Sequence, residues 1–305
     1  MKVLICYFSG TGNTRKVVNK YVEVLSLEGV TCDTYKIETN KFDYDVTDYE
    51  MIGIAYPVHA FNAPSIILDF AKSLPYCEGK RVFIVNTSGE PLKLNNISSI
   101  KLIKILKGKG YNVTNEYHYC MPYNIIFRHT DNMAYKMWKT AQEVIPIDCK
   151  ELLSGKYSLL DDVFMGSFIA WLFRIEHWGG RFNGKRYKVT KNCIHCGKCV
   201  NICPTHNITI KDGEFHFGNN CLMCLRCSFF CPMNAIKIGL FDKWKVNGAY
   251  NFNNPNIYED EVHKNYCKKS YERYFAMCDE KLASVKGKTM QEETKEENIE
   301  EIVKI

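Results

Sequence analysis

A chain of 305 residues is long enough for two modules, and its 46% hydrophobic and 24% charged residues exclude a disordered, collagen-like or membrane-bundle protein. The net charge of +6 does not indicate nucleic-acid binding, because the basic residues are dispersed and do not interleave with stacking aromatics. The chain has 15 cysteines and no secretory leader pattern, which favours a cytoplasmic protein whose cysteines bind metal or carry redox chemistry. The longest apolar stretch, 163–173, is too short to span a bilayer.

The first 125 residues alternate short apolar runs with helical periodicity, which predicts a parallel sheet with crossover helices. Gly29 and Gly110 stand where the ends of helices need a residue free to adopt positive φ. The predicted strands are Lys2 to Phe8, Thr31 to Ile37, Glu50 to Tyr56, Arg81 to Thr87 and Tyr111 to Met121. The predicted helices are Asn13 to Glu28, Ser65 to Ser73 and Ile97 to Lys107.

A phosphate-binding pattern follows the first strand directly. Glycines alternate with hydroxyl side chains at the start of a helix, where free N–H groups favour an anion. Neither a Walker loop nor a dinucleotide fingerprint fits, since no Gly-Lys-Ser/Thr follows and Arg15 stands where the latter needs glycine. A simple helix cap is the alternative interpretation. The residues of this loop are Ser9, Gly10, Thr11, Gly12, Asn13 and Thr14.

The loop resembles the FMN phosphate loop of flavodoxins. This resemblance implies a flavodoxin-like α/β fold with a five-stranded parallel sheet of order 2-1-3-4-5, and it implies FMN as a cofactor. Two later loops would then hold the flavin ring at the carboxyl ends of strands three and four. Tyr56, His59 and Phe61 are the stacking candidates, although His59 is also compatible with an ordinary polar loop position. The loop residues are Tyr56, Pro57, Val58, His59, Ala60 and Phe61, then Asn86, Thr87, Ser88 and Gly89.

The cysteine-dense stretch 191–240 contains an internal repeat. The motif Cys-x-x-Cys-x-x-Cys-x-x-x-Cys-Pro occurs twice, 28 positions apart. Three cysteines at this spacing suit one four-iron cluster, and the cysteine before proline serves the other cluster in bacterial two-cluster proteins. Paired zinc sites are the competing interpretation, but they leave the third cysteine of each block without a role. We therefore predict two 4Fe-4S clusters, one bound by Cys193, Cys196, Cys199 and Cys231, the other by Cys203, Cys221, Cys224 and Cys227.

This stretch resembles a bacterial-type two 4Fe-4S ferredoxin, a small α+β domain. Between the repeats, apolar residues 208–210 and 215–217 flank Asp212-Gly213, which predicts a hairpin. The first 240 residues together resemble the flavodoxin-ferredoxin fusion proteins of anaerobes. The corresponding domains are 1–155 for the flavin-binding unit, 156–190 for a helical and aromatic linker, 191–240 for the ferredoxin unit, and 241–305 for a C-terminal extension with a polar tail.

The resemblance implies electron transfer between FMN, two clusters and external redox proteins such as ferredoxins or ferredoxin-dependent oxidoreductases. An FMN-dependent reductase of a quinone, oxygen or a disulfide is the alternative. A DNA-binding regulator is disfavoured, since no helix-turn-helix is evident. No catalytic residue is assigned, and a homodimer stays open. Two oxidised clusters at about −2 each and a phosphate at about −2 would offset the positive charge of the apoprotein.

Two further features have structural interpretations. The linker contains a helix-spaced set of apolar residues, which we expect to pack between the domains rather than to anchor the chain in a membrane. The set is Met165, Phe168, Ile169, Leu172 and Phe173, with Trp171 and Trp178 nearby. Of the seven remaining cysteines, Cys6 lies in a strand and is expected in the core. Cys267 and Cys278 are a weak candidate for a metal pair.

Overall fold

The computed structural model describes residues 1–38, 41–253 and 268–303, and the side chains of the last helix as far as Val285. Its N-terminal half contains an all-parallel sheet of order β2-β1-β3-β4-β5, which confirms the flavodoxin-like topology. The strands are β1 Lys2–Tyr7, β2 Thr31–Lys36, β3 Met51–Pro57, β4 Arg81–Ser88 and β5 Asn112–Cys120. Each predicted strand is therefore present, with bounds shifted by one residue or less at each end.

Helices cover both faces of the sheet, so β1 and β3 are buried along almost their whole length. On one face α1 packs with α4, a 23-residue helix that contains Pro146, and α2 and α3 cover the other. Gly29 and Gly110 have φ of 75° and 84°. The third predicted helix begins with a 3-10 turn, Lys93–Ser99. The helices are α1 Asn13–Leu27, α2 Ser65–Ser73, α3 Ile100–Lys107 and α4 Asp131–Leu153.

The ferredoxin-type unit is built from short elements. β6 Lys188–Val189 pairs antiparallel with β9 Ile236–Lys237, and each cysteine block leads into one turn of helix, α7 Lys198–Asn201 and α8 Arg226–Phe229. The predicted hairpin is present as β7 Ile208–Lys211 and β8 Glu214–Phe217. Its turn residues Asp212 and Gly213 both have positive φ, 50° and 79°, as a two-residue hairpin turn requires.

The linker region folds into two consecutive helices, α5 Gly166–Phe173 and α6 Ile175–Gly184. The expectation that its apolar set packs between the domains is wrong for most members. Phe168, Trp171, Leu172 and Trp178 are each more than half exposed. The buried positions are Asn183 and the small residues Gly166, Ala170, Gly180 and Gly184. The small residues pack because they let the helix backbone approach its neighbours closely. No helix in the part of the chain that the structure describes is long and apolar enough to cross a membrane.

The C-terminal helix α9, Lys268–Val303, returns to the first unit. Tyr271, Phe275 and Cys278 are buried, and Lys281 donates a hydrogen bond to the buried carboxylate of Asp148 in α4. The first part of this helix is thus a packed element of the flavodoxin-like fold. The predicted pair of Cys267 and Cys278 falls partly outside the described residues, because Cys267 is not among them.

Candidate functional site

A cavity of about 350 Å³ opens at the carboxyl ends of β1, β3, β4 and β5, where parallel α/β sheets bind ligands. All three loops predicted from the sequence contribute to its lining, and the segment after β5 contributes as well. Residues from the linker and from the ferredoxin-type unit close the remaining side. The lining includes Ser9, Gly10, Thr11, Asn13, Thr14, Pro57, Val58, His59, Ala60, Phe61, Thr87, Ser88, Gly89, Met121, Pro122, Tyr123, Glu176, Met223, Phe241 and Trp244.

The loop after β1 has the geometry of an anion cradle. Gly12 has a φ of 112°, and no side chain caps the N-terminus of α1. The buried Ser9 hydroxyl accepts a hydrogen bond from the Arg15 N–H over 3.3 Å. A hydrogen bond of 2.9 Å joins the Thr14 and Thr87 hydroxyls, which links this loop to the end of β4. The 15-residue helix α1 thus begins beside the cavity with no cap from its N-cap residue, Gly12, and with its Arg15 N–H on Ser9, which fits a bound phosphate.

The loop after β3 is a tight two-residue turn. Backbone hydrogen bonds join His59 and Asn62 in both directions at 2.8 and 2.9 Å, and Ala60 and Phe61 between them have φ of 41° and 60°. Positive φ is costly for residues other than glycine, so the turn is held by its surroundings. One such contact is the Phe61 ring, which packs edge-on against Phe173 of α5 at 5.0 Å.

Three predicted residues do not line the cavity. Gly12 acts through its backbone conformation alone. The side chains of Tyr56 and Asn86 are fully buried in the sheet and lie within 3.4 Å of the Ser98 hydroxyl. The Tyr56 ring is therefore not available for stacking on a ligand. Its strand position places the side chain on the α2 and α3 face of the sheet.

Tyr123 is an aromatic cavity residue that the loop pattern did not single out for stacking. Its ring lies so close to Gly89 that a Cβ there would come within 2.1 Å of it. It also stacks on His129 with 5.4 Å between ring centres. Tyr250 donates a hydrogen bond of 2.6 Å to the Tyr123 carbonyl. These contacts fix Tyr123 in the wall of the cavity, which His59 and Phe61 also line.

The ionisable groups at the cavity are shifted toward their neutral forms. Burial lowers the pKa of His59 to about 4, and the charge of His177 adds to the effect. Burial raises the pKa of Glu176 to about 7, although its carboxylate lies 3.9 Å from His59 and 3.8 Å from His177. Near pH 7 the uncharged His59 offers one donor and one acceptor to a ligand.

His118 in β5 supports the loop after β4, and it gives that loop a dependence on pH. Its Nε2 lies 2.7 Å from the Ser88 hydroxyl, and burial lowers its pKa to about 4. Because the unfolded chain takes up this proton at higher pH than the folded chain, stability falls as the pH drops from 6.5 toward 4.

Between pH 7 and pH 5 we expect the native protein to lose about 1–2 kcal/mol more unfolding free energy than the His118→Gln variant loses. Denaturant titrations at both pH values measure this difference, with His216→Gln at an exposed site as the control; an equal loss in native protein and His118→Gln would contradict it.

The eight motif cysteines gather around two small cavities. Cys193, Cys196, Cys199 and Cys231 line the first, and Cys203, Cys221, Cys224 and Cys227 line the second. Each cavity thus receives three cysteines from one repeat and the cysteine before proline from the other. In the described part of the chain no three His, Cys, Asp or Glu side chains are close enough to hold a single metal ion. A four-iron cluster spreads its thiolates more widely.

The two repeats share a backbone conformation as well as a spacing. His195 and Met223, 28 positions apart, have φ of 53° and 48° and donate their N–H groups to the sulfurs of Cys193 and Cys221 at 3.3 and 3.4 Å. Asn207 and Ala235 do the same for Cys203 and Cys231 at 3.3 and 3.2 Å. Hydrogen bonds of this kind stabilise thiolate ligands and tune the potential of a cluster.

The two cysteine sets differ at one equivalent position. Cys196 is exposed, whereas its counterpart Cys224 is buried against Gly10. Burial raises the pKa of Cys221 to about 12 and that of Cys224 to about 11. Ligation by iron must therefore displace protons from these thiols.

Arg226, between Cys224 and Cys227, joins the two units. Its Nε donates to the Gly10 carbonyl at 2.9 Å, and its Nη2 donates to the Ser9 carbonyl at 2.7 Å. Nη1 donates to the Ile202 carbonyl at 2.9 Å, and Nη2 also pairs with Glu38 at 2.7 Å. A Cβ on Gly10 would lie 2.7 Å from the Cys224 carbonyl oxygen. The cysteine loop and the cradle loop are thus in direct contact.

The remaining described cysteines have structural environments. Cys6, Cys120, Cys149 and Cys278 are buried, and burial raises the pKa of Cys6 far above its usual range. Cys6 lies in the core of the sheet, in a strand buried on both faces.

Comparison with known proteins gave one family model and several solved structures. Residues 192–235 match the family model of the 4Fe-4S dicluster domain. A flavodoxin from the domain Archaea is similar to 50% of this chain over 99% of its own length, at 17% identity and a TM-score of 0.35. Flavodoxin 1 from Bacillus cereus is similar to 48% of this chain over 98% of its length, at 16% identity and a TM-score of 0.36. The comparison with curated proteins gave no match.

Proposed function

We propose that this chain, which joins a flavodoxin-like fold to a 4Fe-4S dicluster domain, is an electron-transfer iron-sulfur flavoprotein that carries one FMN and two 4Fe-4S clusters. The single observation that carries the proposal is the large cavity at the strand ends. Its wall includes Met223, which lies between Cys221 and Cys224 in the second cysteine repeat. FMN exchanges electrons singly or in pairs, whereas each cluster carries one at a time. One chain would therefore connect a two-electron carrier with one-electron carriers.

The residues at the cavity fit an FMN molecule. The uncapped start of α1 and the Ser9 to Thr14 loop suit the phosphate. Backbone groups of residues 58–61 and 87–89 are the candidates for the polar edge of the ring, and Phe61 and Tyr123 are the aromatic candidates for its faces. His59, neutral near pH 7, offers a hydrogen bond without placing a charge beside the ring.

The arrangement supports a definite order of the centres. Cys224 is buried against the Gly10 loop, while Cys196 of the other set is exposed. We infer that external redox proteins exchange electrons with the first cluster, which is bound by the Cys193 set. The second cluster, bound by the Cys221 set, lies between the first cluster and the flavin. Ferredoxins or ferredoxin-dependent oxidoreductases are the proposed partners, in anaerobic metabolism.

The cofactor content tests this proposal directly. We expect chain purified without oxygen to contain one FMN and about eight irons and eight acid-labile sulfides. Absorption spectra, released flavin identified by chromatography, and colorimetric iron and sulfide analysis measure these quantities. Absence of flavin would refute the flavoprotein part of the proposal. A content near four irons would refute the two-cluster part.

A further inference from the structure

A continuous stripe of exposed apolar side chains runs along α5 and α6. We call Phe168, Trp171, Ile175, Trp178 and Phe182 the aromatic stripe. Their exposed fractions are 53%, 62%, 73%, 75% and 57%. Large apolar side chains exposed singly are normal on a protein surface, but a contiguous row marks an interaction site.

The five residues share one side of the helix pair. Their spacing of three, four, three and four residues is the repeat of a helical face. Arg174, between the helices, has helical angles of −65° and −10°, so the face continues across the junction. The Phe168 and Trp171 rings are stacked at 5.9 Å. Phe164, Met165 and Leu172, which are 89%, 54% and 53% exposed, extend the same apolar surface.

The opposite side of the helix pair is the one that packs. Gly166 lies against Ile97, Gly180 against Met223, and Gly184 against Cys221, each too close for a larger residue to fit without a shift. The helices are therefore fixed to both units through small residues. The aromatic stripe points away from the molecule, directly outside the second cysteine set and the large cavity.

Positive charges outnumber negative ones around the stripe. From residue 161 to 191 the chain has six basic residues and three acidic residues, Asp161, Asp162 and Glu176. The Glu176 carboxylate turns inward toward His59 and His177, so it does not offset the basic surface. Five of the basic residues are exposed and Arg174 is partly buried; the six are Arg174, Arg181, Lys185, Arg186, Lys188 and Lys191.

The exposed apolar row and the basic residues beside it favour a lipid surface over a second copy of the chain as the binding partner. A second copy of the chain meeting the stripe about a twofold axis would bring Arg174 and Arg181 against the same residues of the other copy. A lipid surface with anionic headgroups accepts both features, because tryptophan and phenylalanine insert at the headgroup boundary while lysine and arginine contact the phosphates. We propose that the aromatic stripe docks the protein on an anionic membrane surface, without spanning it.

Vesicle flotation of the holoprotein tests the proposal. We expect flotation with vesicles of phosphatidylcholine containing about one third phosphatidylglycerol, and much weaker flotation with phosphatidylcholine alone or at high salt. The double variant Trp171→Ser/Trp178→Ser should reduce the bound fraction about tenfold or more. Leu27→Ser/Tyr76→Ser removes two apolar side chains of comparable exposure, 81% and 68%, from the flavodoxin-like unit and should bind like the native protein.

The outcomes separate this proposal from its rivals and from the proposed function. Flavin and cluster absorbance verify that each variant is folded, and they do not depend on membrane binding. Absence of flotation of the native protein, or equal flotation of both double variants, overturns the proposal. It is also overturned if light scattering finds a dimer that Trp171→Ser/Trp178→Ser dissociates while vesicles bind neither form, since a second copy would then cover the stripe.

Discussion

Arg226→Ala is expected to weaken the attachment of the ferredoxin-type unit to the flavodoxin-like unit by about 2–3 kcal/mol, because the Ser9 and Gly10 carbonyls lose hydrogen bonds from a charged, buried donor. Arg226 is 7% exposed and serves the Ser9, Gly10 and Ile202 carbonyls together with Glu38. Its removal leaves Lys36, at 2.9 Å, as the one ion-pair partner described for the Glu38 carboxylate. The Ser9 and Gly10 carbonyls lose their donor at the same time.

The same variant should bind FMN more weakly, because Arg226 holds the backbone of the cradle loop. An interaction worth about 1.4–3 kcal/mol lost at that loop corresponds to a rise in the FMN dissociation constant of about tenfold to a hundredfold. Quenching of FMN fluorescence on binding to the flavin-free protein measures this dissociation constant. Thermal unfolding followed separately by flavin and by cluster absorbance measures the loss of coupling between the units.

Lys198→Ala is the matched control, because Lys198 occupies the same place in the first repeat, 28 positions earlier, and makes no contact with the cradle. It should leave FMN binding unchanged. Arg226→Lys should be intermediate at best, since an ammonium group cannot reproduce the fork that serves Ser9, Gly10 and Ile202 together. If Arg226→Ala and Lys198→Ala have the same FMN dissociation constant, the link between cluster loop and cradle is not energetically significant.

The sequence was sufficient for the features that depend on local pattern. Buried parallel strands, the Asp212-Gly213 turn and the 28-residue repeat each have a short-range signal, and the structure contains all of them. The order of the sheet came from the resemblance of the Ser9 to Thr14 loop to flavodoxins, and the structure confirms it. Tyr56 was misplaced because alternation along a strand does not tell which face of a doubly covered sheet meets the loop at its end.

The relation between the two units had no signal in the sequence. Nothing in the spacing around Arg226 distinguishes it from Lys198, yet one is buried against the Gly10 loop and the other is not. Met223 and Trp244 reach the cavity only through tertiary packing. The apolar residues of α5 and α6 predicted a buried helix. In the structure the glycines of these helices pack against the rest of the protein, and the large apolar side chains are exposed on the opposite side. Local periodicity identifies an apolar face and does not say what covers it.

Cys203→Ala and Cys231→Ala are expected to remove different clusters, each the cluster of the opposite repeat. Cys231 lines the cavity of Cys193, Cys196 and Cys199, so Cys231→Ala should lose the first cluster, and Cys203→Ala should lose the second. Each variant should retain about four of about eight irons. Iron analysis and electron paramagnetic resonance of the reduced proteins measure the loss. If the ligands were contributed repeat by repeat, the two assignments would be exchanged.

Solvent access identifies which cluster remains. The exposed Cys196 belongs to the first cavity and the buried Cys224 to the second, so an added paramagnetic ion should relax the remaining signal strongly in Cys203→Ala and weakly in Cys231→Ala.

The proposed order of centres adds a kinetic consequence. Because external proteins reach the first cluster, Cys231→Ala should slow reduction of the bound flavin by reduced ferredoxin without changing FMN binding. Cys203→Ala should slow it too, and it should also weaken FMN binding, since the loop of Cys224 and Arg226 loses the cluster that orders it against Gly10. Equal FMN affinity in the two variants would show that the second cluster and the cradle are independent.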